Sequence, residues 1–213
     1  MDKRLLGGYK PSDITRDTPR FSMGIDGLPT SFSCQRIMPP IEDQGSTQHC
    51  VAHSCSAMVN YLINTERKTR GIDYGIEEIE IYEQRRDRSR DIGMSPKVAF
   101  EYIRTSGVNI QKLGRKYQIA GYGLVTELSD LKNAIVMNGP VLSGLFVKSM
   151  SRDDFWNGSG DYGGHAICIV GYNDKTQSLL LRNSWGTSYG TMGYYTLSYN
   201  DWENEAIETW TIY

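Results

Sequence analysis

The stretch that decides the fold is Gln44-Gly45-Ser46-Thr47-Gln48-His49-Cys50, followed from Val51 by an amphipathic run. This spacing predicts a thiol at the start of a helix, with a side-chain amide just ahead of it. A helix N-terminus carries unpaired N–H groups and partial positive charge, which stabilise a thiolate and lower the pKa of the cysteine. The amide of Gln44 and the backbone N–H of Cys50 can together hold a developing oxyanion, so both residues are catalytic candidates.

A nucleophilic cysteine also needs a base, and the base needs a group that orients it. Both residue types occur far downstream, in Gly163-Gly164-His165-Ala166 and in Leu181-Arg182-Asn183-Ser184-Trp185-Gly186. Taken singly, these residues decide nothing, because a buried cysteine usually acts as a small hydrophobic group. Their order along the chain makes His165 the candidate base and Asn183 the candidate orienting group.

Composition limits the class of protein. The 213 residues suffice for one large domain or for two lobes that share a cleft. A net charge of -2 gives no reason to expect nucleic acid or an anionic membrane as a partner. Without an apolar run of roughly 20 residues or an apolar core behind the basic N-terminus, we expect a cytoplasmic protein. The four scattered cysteines predict reduced thiols.

Hydrophobic periodicity predicts an α+β protein with two halves of different character. Four helices are predicted. The first begins at Cys50 and has Val51, Cys55, Met58 and Leu62 on its buried face; the second spans Ile76–Arg86 with Ile76, Ile79 and Tyr82 inward. The third runs from Pro96 to Gly107 with Val98, Ala99 and Tyr102 inward, and the fourth spans Glu127–Met137. Five strands are predicted: Val141–Val147, Ala166–Tyr172, Ser178–Arg182, Tyr194–Tyr199 and Ala206–Ile212.

These elements predict one catalytic domain in three parts. Residues 1–27, rich in Gly and Pro, form an irregular N-terminal arm. Residues 28–120 form a helical lobe that carries the cysteine. Residues 121–213 form a mostly antiparallel β lobe that carries the histidine and the asparagine, interrupted by a polar loop over Lys148–Gly164.

Several motifs together carry a family resemblance. They are Gln44-Gly45 with Cys50-Val51-Ala52, His165-Ala166 running into Val170-Gly171-Tyr172, and Asn183-Ser184-Trp185-Gly186-Thr187 with Gly193-Tyr194. In this combination the chain resembles the papain family, and its arm, with Tyr9-Lys10-Pro11, is similar to that of compact microbial members. The resemblance implies a two-lobe fold and a cofactor-independent cysteine endopeptidase that acts on proteins or peptides through a thioester.

The resemblance also implies a role for each matched residue. Cys50 corresponds to the nucleophile, His165 to the general base, and Asn183 to the group that orients the imidazole. Gln44 corresponds to the side-chain half of the oxyanion hole. Trp185 corresponds to the indole that shields the Asn–His hydrogen bond. Substrate-binding positions fall on Gly93, Met94, Gly144, Gly163 and Gly164, with Trp185 beside them. Such small residues predict a roomy, uncharged pocket for a bulky apolar or aromatic side chain, and Gly93 can pair with the substrate backbone.

Two departures from the family surround the nucleophile. Thr47-Gln48-His49 replaces the usual Cys-Gly-Ser, so a familiar disulfide cannot form, and Val51 replaces a tryptophan. Neither departure removes a catalytic group. Two other function classes stay open: a catalytically silent binding relative, and an acyl-transferring or deamidating enzyme. A zinc site built from Cys50, His53, His165 and Cys168 is not expected, because strand positions three apart point to opposite faces.

The arm has two possible positions. In similar microbial enzymes a short arm lies over the substrate groove, and here Leu5, Leu6, Tyr9 and Phe21 are the candidate docking groups. We expect the arm to occlude part of the cleft; the alternative is that it packs along the back of the lobes.

Overall fold

The computed structural model describes residues 8–149, 154–156, 159–160 and 163–213. Its helices are α1 (Cys50–Glu66), α2 (Glu78–Tyr82), α3 (Pro96–Thr105), α4 (Leu128–Asn138) and α5 (Tyr199–Glu205). Its strands are β1 (Ser31–Ser33), β2 (Val108–Ile110), β3 (Arg115–Tyr117), β4 (Tyr122–Val125), β5 (Val141–Phe146), β6 (Gly164–Asn173), β7 (Ser178–Arg182), β8 (Tyr194–Ser198) and β9 (Ala206–Ile212). The predicted α+β class is confirmed.

The central helix α1 is buried on almost every side, whereas the sequence predicted one buried face. Its polar stripe is the reason: Ser56, Asn60 and Asn64 recur every four residues and turn towards the segment 72–76. The Ser56 hydroxyl donates to the Ile76 carbonyl at 3.1 Å, and the Asn60 side chain accepts the Tyr74 N–H at 2.8 Å. These side chains satisfy backbone groups that would otherwise lie unpaired in the interior.

The β lobe is built on one antiparallel sheet in the order β4-β9-β5-β6-β7-β8, with β1 added along β6; β2 and β3 form a separate hairpin. In the register, Leu145 of β5 faces His165 of β6, and Cys168 faces Arg182 of β7. Asn183 directly follows β7, so the pairing of β6 with β7 carries it towards His165.

Three details of the helix and strand predictions were wrong. Ile79 and Val98, expected to face inward, are 43% and 39% exposed. Helix α2 has only five residues, so the predicted periodicity does not continue through it. Tyr199 begins α5 rather than ending a strand, because the Ser198 hydroxyl accepts the Asp201 N–H at 3.0 Å and caps the helix.

Within the described residues, no helix is both long enough and apolar enough to cross a membrane. Part of the predicted loop over 148–164 lies outside the described residues, as do Leu5 and Leu6 of the arm.

Candidate active site

Cys50 is the first residue of α1, with its side chain in the cleft between the helices and the sheet. Burial raises the pKa of the Cys50 thiol to about 11, although backbone N–H groups of Ala166, Val51 and Cys50 itself act in the opposite direction. The expected lowering of this pKa is therefore not found in the closed structure, where the residue is 1% exposed. The backbone N–H of Ala166, on β6, lies within hydrogen-bonding reach of the Cys50 sulfur. His165 is the residue before Ala166 on the same strand, so it lies on the part of β6 that meets Cys50.

His165 and Asn183 form the predicted pair. The His165 Nε2 atom and the Asn183 Oδ1 atom are 2.7 Å apart, and both side chains are buried. The same Oδ1 atom accepts the Ser184 N–H at 2.8 Å, which holds the amide in this orientation. Since Nε2 is engaged by Asn183, Nδ1 is the ring nitrogen that can exchange a proton with a thiol.

Two aromatic side chains cover this pair. The Trp185 ring lies 4.5 Å from the His165 ring, centroid to centroid, at an interplanar angle of 30°. Phe155 meets the imidazole edge-on at 5.7 Å and lies 4.9 Å from Trp185. Trp185 thus contacts the imidazole as the shielding prediction requires. Phe155 was not predicted as a site residue, because it lies in a loop without periodicity.

Gln44 is buried ahead of Cys50, and its amide is held at both ends. Its Nε2 donates to the Thr47 carbonyl at 2.9 Å, and its Oε1 accepts the Ser184 hydroxyl at 2.6 Å. One N–H of the amide remains for an oxyanion, since a primary amide has two. Ser184 was overlooked as a functional residue, although it lies beside Asn183 in the quoted motif.

The N-terminal arm occupies the cleft. The Met94 N–H donates to the Gly8 carbonyl at 3.0 Å, the Lys10 N–H donates to the Met94 carbonyl at 3.0 Å, and the Tyr9 N–H donates to the Gly164 carbonyl at 3.4 Å. A Cβ atom on Gly8 would lie 3.0 Å from the Cys50 sulfur. The chain thus holds an extended peptide of its own against the candidate nucleophile.

The glycines predicted to bind substrate surround this peptide. A Cβ atom on Gly93 would lie 2.2 Å from the Gly8 carbonyl oxygen, and one on Gly144 would lie 2.3 Å from the Tyr9 ring. A Cβ atom on Gly164 would lie 2.9 Å from the Tyr9 ring. The carbonyl of Gly163, the preceding residue, accepts the Val147 N–H at 2.9 Å. The close approach of the peptide therefore requires glycine at positions 93, 144 and 164.

The pocket that receives Tyr9 is charged, so the prediction of an uncharged pocket was wrong. Glu208 is buried there and accepts the Tyr9 hydroxyl at 2.5 Å and the Ser12 N–H at 2.9 Å, both through Oε1. Its Oε2 atom is buried without a hydrogen-bond partner among the described residues. Glu208 pairs with Gly144 across β9 and β5, a register that the sequence alone does not give.

A later part of the arm runs along β4 and packs on the β lobe. The Phe21 N–H donates to the Leu124 carbonyl at 2.8 Å, and the Leu124 N–H donates to the Pro19 carbonyl at 2.8 Å. The Phe21 side chain is buried in the core of the β lobe. Gly8–Lys10 thus occludes part of the cleft, whereas Pro19, Arg20 and Phe21 pack on the β lobe.

A cysteine at a helix start and a His–Asn pair on the facing sheet, with a peptide held in the cleft beside them, are the arrangement expected of a two-lobe thiol hydrolase. The family model for papain family cysteine proteases matches residues 104–213, just over half of the chain. The chain therefore belongs to the papain family of cysteine proteases.

Individual relatives show how far the likeness extends. An uncharacterized peptidase C1-like protein of Acanthamoeba polyphaga mimivirus is 32% identical over 98 residues, 40% of this chain and 31% of that protein. Cysteine proteinase 3 of Entamoeba histolytica is 24% identical over 212 residues, 87% of this chain and 68% of that protein. The chain thus spans about a third of the first relative and about two thirds of the second.

Among solved structures, the fold is similar to that of xylellain, a cysteine protease from Xylella fastidiosa, with a TM-score of 0.81. The alignment covers 99% of this chain and 97% of that one at 21% sequence identity. The papain-like two-lobe fold predicted from the sequence is confirmed.

Proposed function

We propose that the chain is a cysteine endopeptidase that hydrolyses peptide bonds through a thioester acyl-enzyme. The observation that carries this proposal is the extended segment Gly8–Lys10, which lies in the cleft through backbone hydrogen bonds to Met94 and Gly164. A cleft that binds the main chain of one peptide can bind another peptide by the same bonds. The cytoplasmic location and the lobe boundaries given above stay predictions.

Each proposed catalytic residue moves or holds a proton at a stated atom. His165 takes the Cys50 proton as the sulfur attacks the substrate carbonyl carbon. The resulting oxyanion accepts hydrogen bonds from the N–H groups of the Gln44 side chain and the Cys50 backbone. The imidazolium, oriented by Asn183, then gives its proton to the leaving amine, and a thioester remains. Water, deprotonated by His165, hydrolyses this thioester and restores the thiol.

Glu208 supports a specific substrate class. Both of its hydrogen-bond donors belong to the arm, so departure of the arm would leave a buried carboxylate without a partner. Such a group costs several kcal/mol unless a new donor or a cation reaches it. We infer that the pocket takes arginine or lysine, or a phenol like that of Tyr9, from the substrate in place of the arm.

The test compares matched peptides with Arg or Phe two residues before the scissile bond, using a Tyr9→Ala chain. We expect Arg to be preferred in kcat/KM, and we expect Glu208→Gln to reduce this preference at least tenfold, the scale of one lost charge-assisted hydrogen bond. An unchanged ratio would remove Glu208 from substrate selection. Mass analysis with an added amine separates hydrolysis from acyl transfer, and no product at all would favour a silent binding relative.

A further inference from the structure

A second group of side chains with ligand chemistry lies beside the nucleophile. His49 precedes Cys50, and His53 stands four residues after His49, so both imidazoles lie on one face of the first turn of α1. Glu78 begins α2, which packs against α1. One ligand atom from each of His49, His53 and Glu78 lies within 4.8 Å of the others.

His53 is oriented as a metal ligand would be. Its Nδ1 atom lies 2.5 Å from the Glu42 Oε2 atom, and the imidazole is buried. A carboxylate that holds Nδ1–H fixes the tautomer in which Nε2 carries the free lone pair. Histidines that bind metals almost always have such a partner on the other ring nitrogen.

His49 is also available to a cation. Its imidazole is half-buried, and the carboxylates of Asp91 and Glu78 lie near enough to interact with it. Its ring lies 3.9 Å from the Tyr82 ring, which restricts its rotation. Among the described residues, the guanidinium near His49 is that of Arg85.

Arg85 does not fill the site, because its guanidinium is engaged elsewhere. It pairs with Glu83 at 3.1 Å and donates to the carbonyls of Arg88 and Arg90 at 2.9 and 3.1 Å. Glu78, in contrast, has no hydrogen-bond partner within the described part of the chain. The cluster therefore brings together two imidazoles and one carboxylate that has no hydrogen-bond partner among the described residues.

We propose that His49, His53 and Glu78 form a Zn²⁺ site with one open position, separate from the catalytic pair. Two imidazoles and a carboxylate are ligands that suit this ion. Ligand atoms in a tetrahedral zinc site lie about 3.4 Å apart, so a rotation of the half-buried Glu78 side chain can close the cluster. Bound Zn²⁺ would link His49, the residue before Cys50, to Glu78 at the start of α2.

The experiment measures Zn²⁺ binding by calorimetry to the full chain carrying Cys50→Ala, since a catalytic thiol can itself bind zinc. We expect one equivalent to bind, with a rise in melting temperature, and Co²⁺ to show a tetrahedral absorption band. His49→Ala and Glu78→Gln should each weaken binding at least tenfold, and Glu42→Gln by about 10–100-fold through loss of the outer partner.

The matched control is Glu77→Gln, which removes the adjacent carboxylate but touches no member of the cluster; Glu77 contacts Gln111 instead. Its affinity for Zn²⁺ should equal that of the parent. Binding that is lost in Cys50→Ala would assign the ion to the catalytic pair and overturn the proposal. Absence of binding, or equal affinity in Glu78→Gln and Glu77→Gln, would overturn it as well.

Discussion

At the scale of single residues, the amide of Gln44 is fixed before any substrate arrives. Ser184 holds its oxygen, and the Thr47 carbonyl takes one of its two N–H groups. An oriented donor stabilises the oxyanion more than a mobile one, because its reorganisation is complete before the reaction. Ser184 is therefore a positioning residue for Gln44, in addition to following Asn183 in the chain.

This arrangement predicts unequal effects for two substitutions. Gln44→Ala should lower kcat about 100–1,000-fold, or roughly 3 kcal/mol, because a donor to the oxyanion is lost. Ser184→Ala should lower kcat about tenfold or less, because the donor stays and only one hydrogen bond to it is lost. Steady-state kinetics in the Tyr9→Ala chain measure both. Equal losses in two folded variants would show that Gln44 is not a donor in the hole.

At the scale of elements, α4 ends where it meets α1. Gly139 ends the helix at φ 97° and ψ -145°, a conformation that is nearly restricted to glycine. A Cβ atom there would also lie 1.9 Å from the Tyr61 ring of α1. Backbone strain and steric conflict thus coincide at the contact between the two helices.

Gly139→Ala should therefore destabilise the fold by about 3 kcal/mol, the combined scale of backbone strain and overpacking. For a chain of this length that corresponds to a fall in melting temperature of roughly 6–12 °C. Thermal unfolding measures it, with Gly24→Ala as the control, since a Cβ atom on Gly24 meets nothing within 4 Å. The control should stay within about 0.5 kcal/mol of the parent. Similar melting temperatures for both variants would contradict the argument.

At the scale of the whole molecule, the arm joins two regions that have different roles. Tyr9, which is 3% exposed, fills the pocket above Glu208, whereas Phe21 is buried in the β lobe beyond the cleft. Truncation before Ser22 would remove both contacts and confuse occlusion with stability. Single substitutions at the two aromatic residues separate these effects.

Tyr9→Ala should open the cleft, because loss of a buried aromatic side chain weakens docking by about 3 kcal/mol. We expect kcat/KM for peptides to rise at least tenfold, because a loss of about 3 kcal/mol in docking of the arm exceeds the roughly 1.4 kcal/mol that corresponds to a factor of ten. Iodoacetamide should label Cys50 faster and from a lower pH, since burial is what raises its thiol pKa to about 11.

Labelling of Cys34, Cys55 and Cys168, read by peptide mass analysis, should stay slow in the same sample, because burial also raises the pKa of each. Phe21→Ala should lower the melting temperature and leave the kinetics and the labelling of Cys50 unchanged. If Tyr9→Ala changed only the melting temperature, the arm would be a structural strap and not a restraint on the active site.

The sequence by itself determined the local elements and the identity of the chemical groups. A helix beginning at Cys50 follows from periodicity, and strands such as Ser178–Arg182 follow from short apolar runs; both are properties of neighbouring residues. The pairing of His165 with Asn183 was also predictable, because the family motif contains each of them. Near neighbours in the chain and a known motif suffice for such predictions.

The tertiary structure alone decided what depends on register and on long-range contacts. The position of Glu208 opposite Gly144 needs the pairing of β9 with β5, and the charge of the pocket depends on it. The burial of α1 on its polar side needs the segment 72–76 to supply carbonyl and N–H partners for Ser56 and Asn60. Periodicity describes the faces of one element, but which groups meet across a cleft is decided by distant parts of the chain packing together.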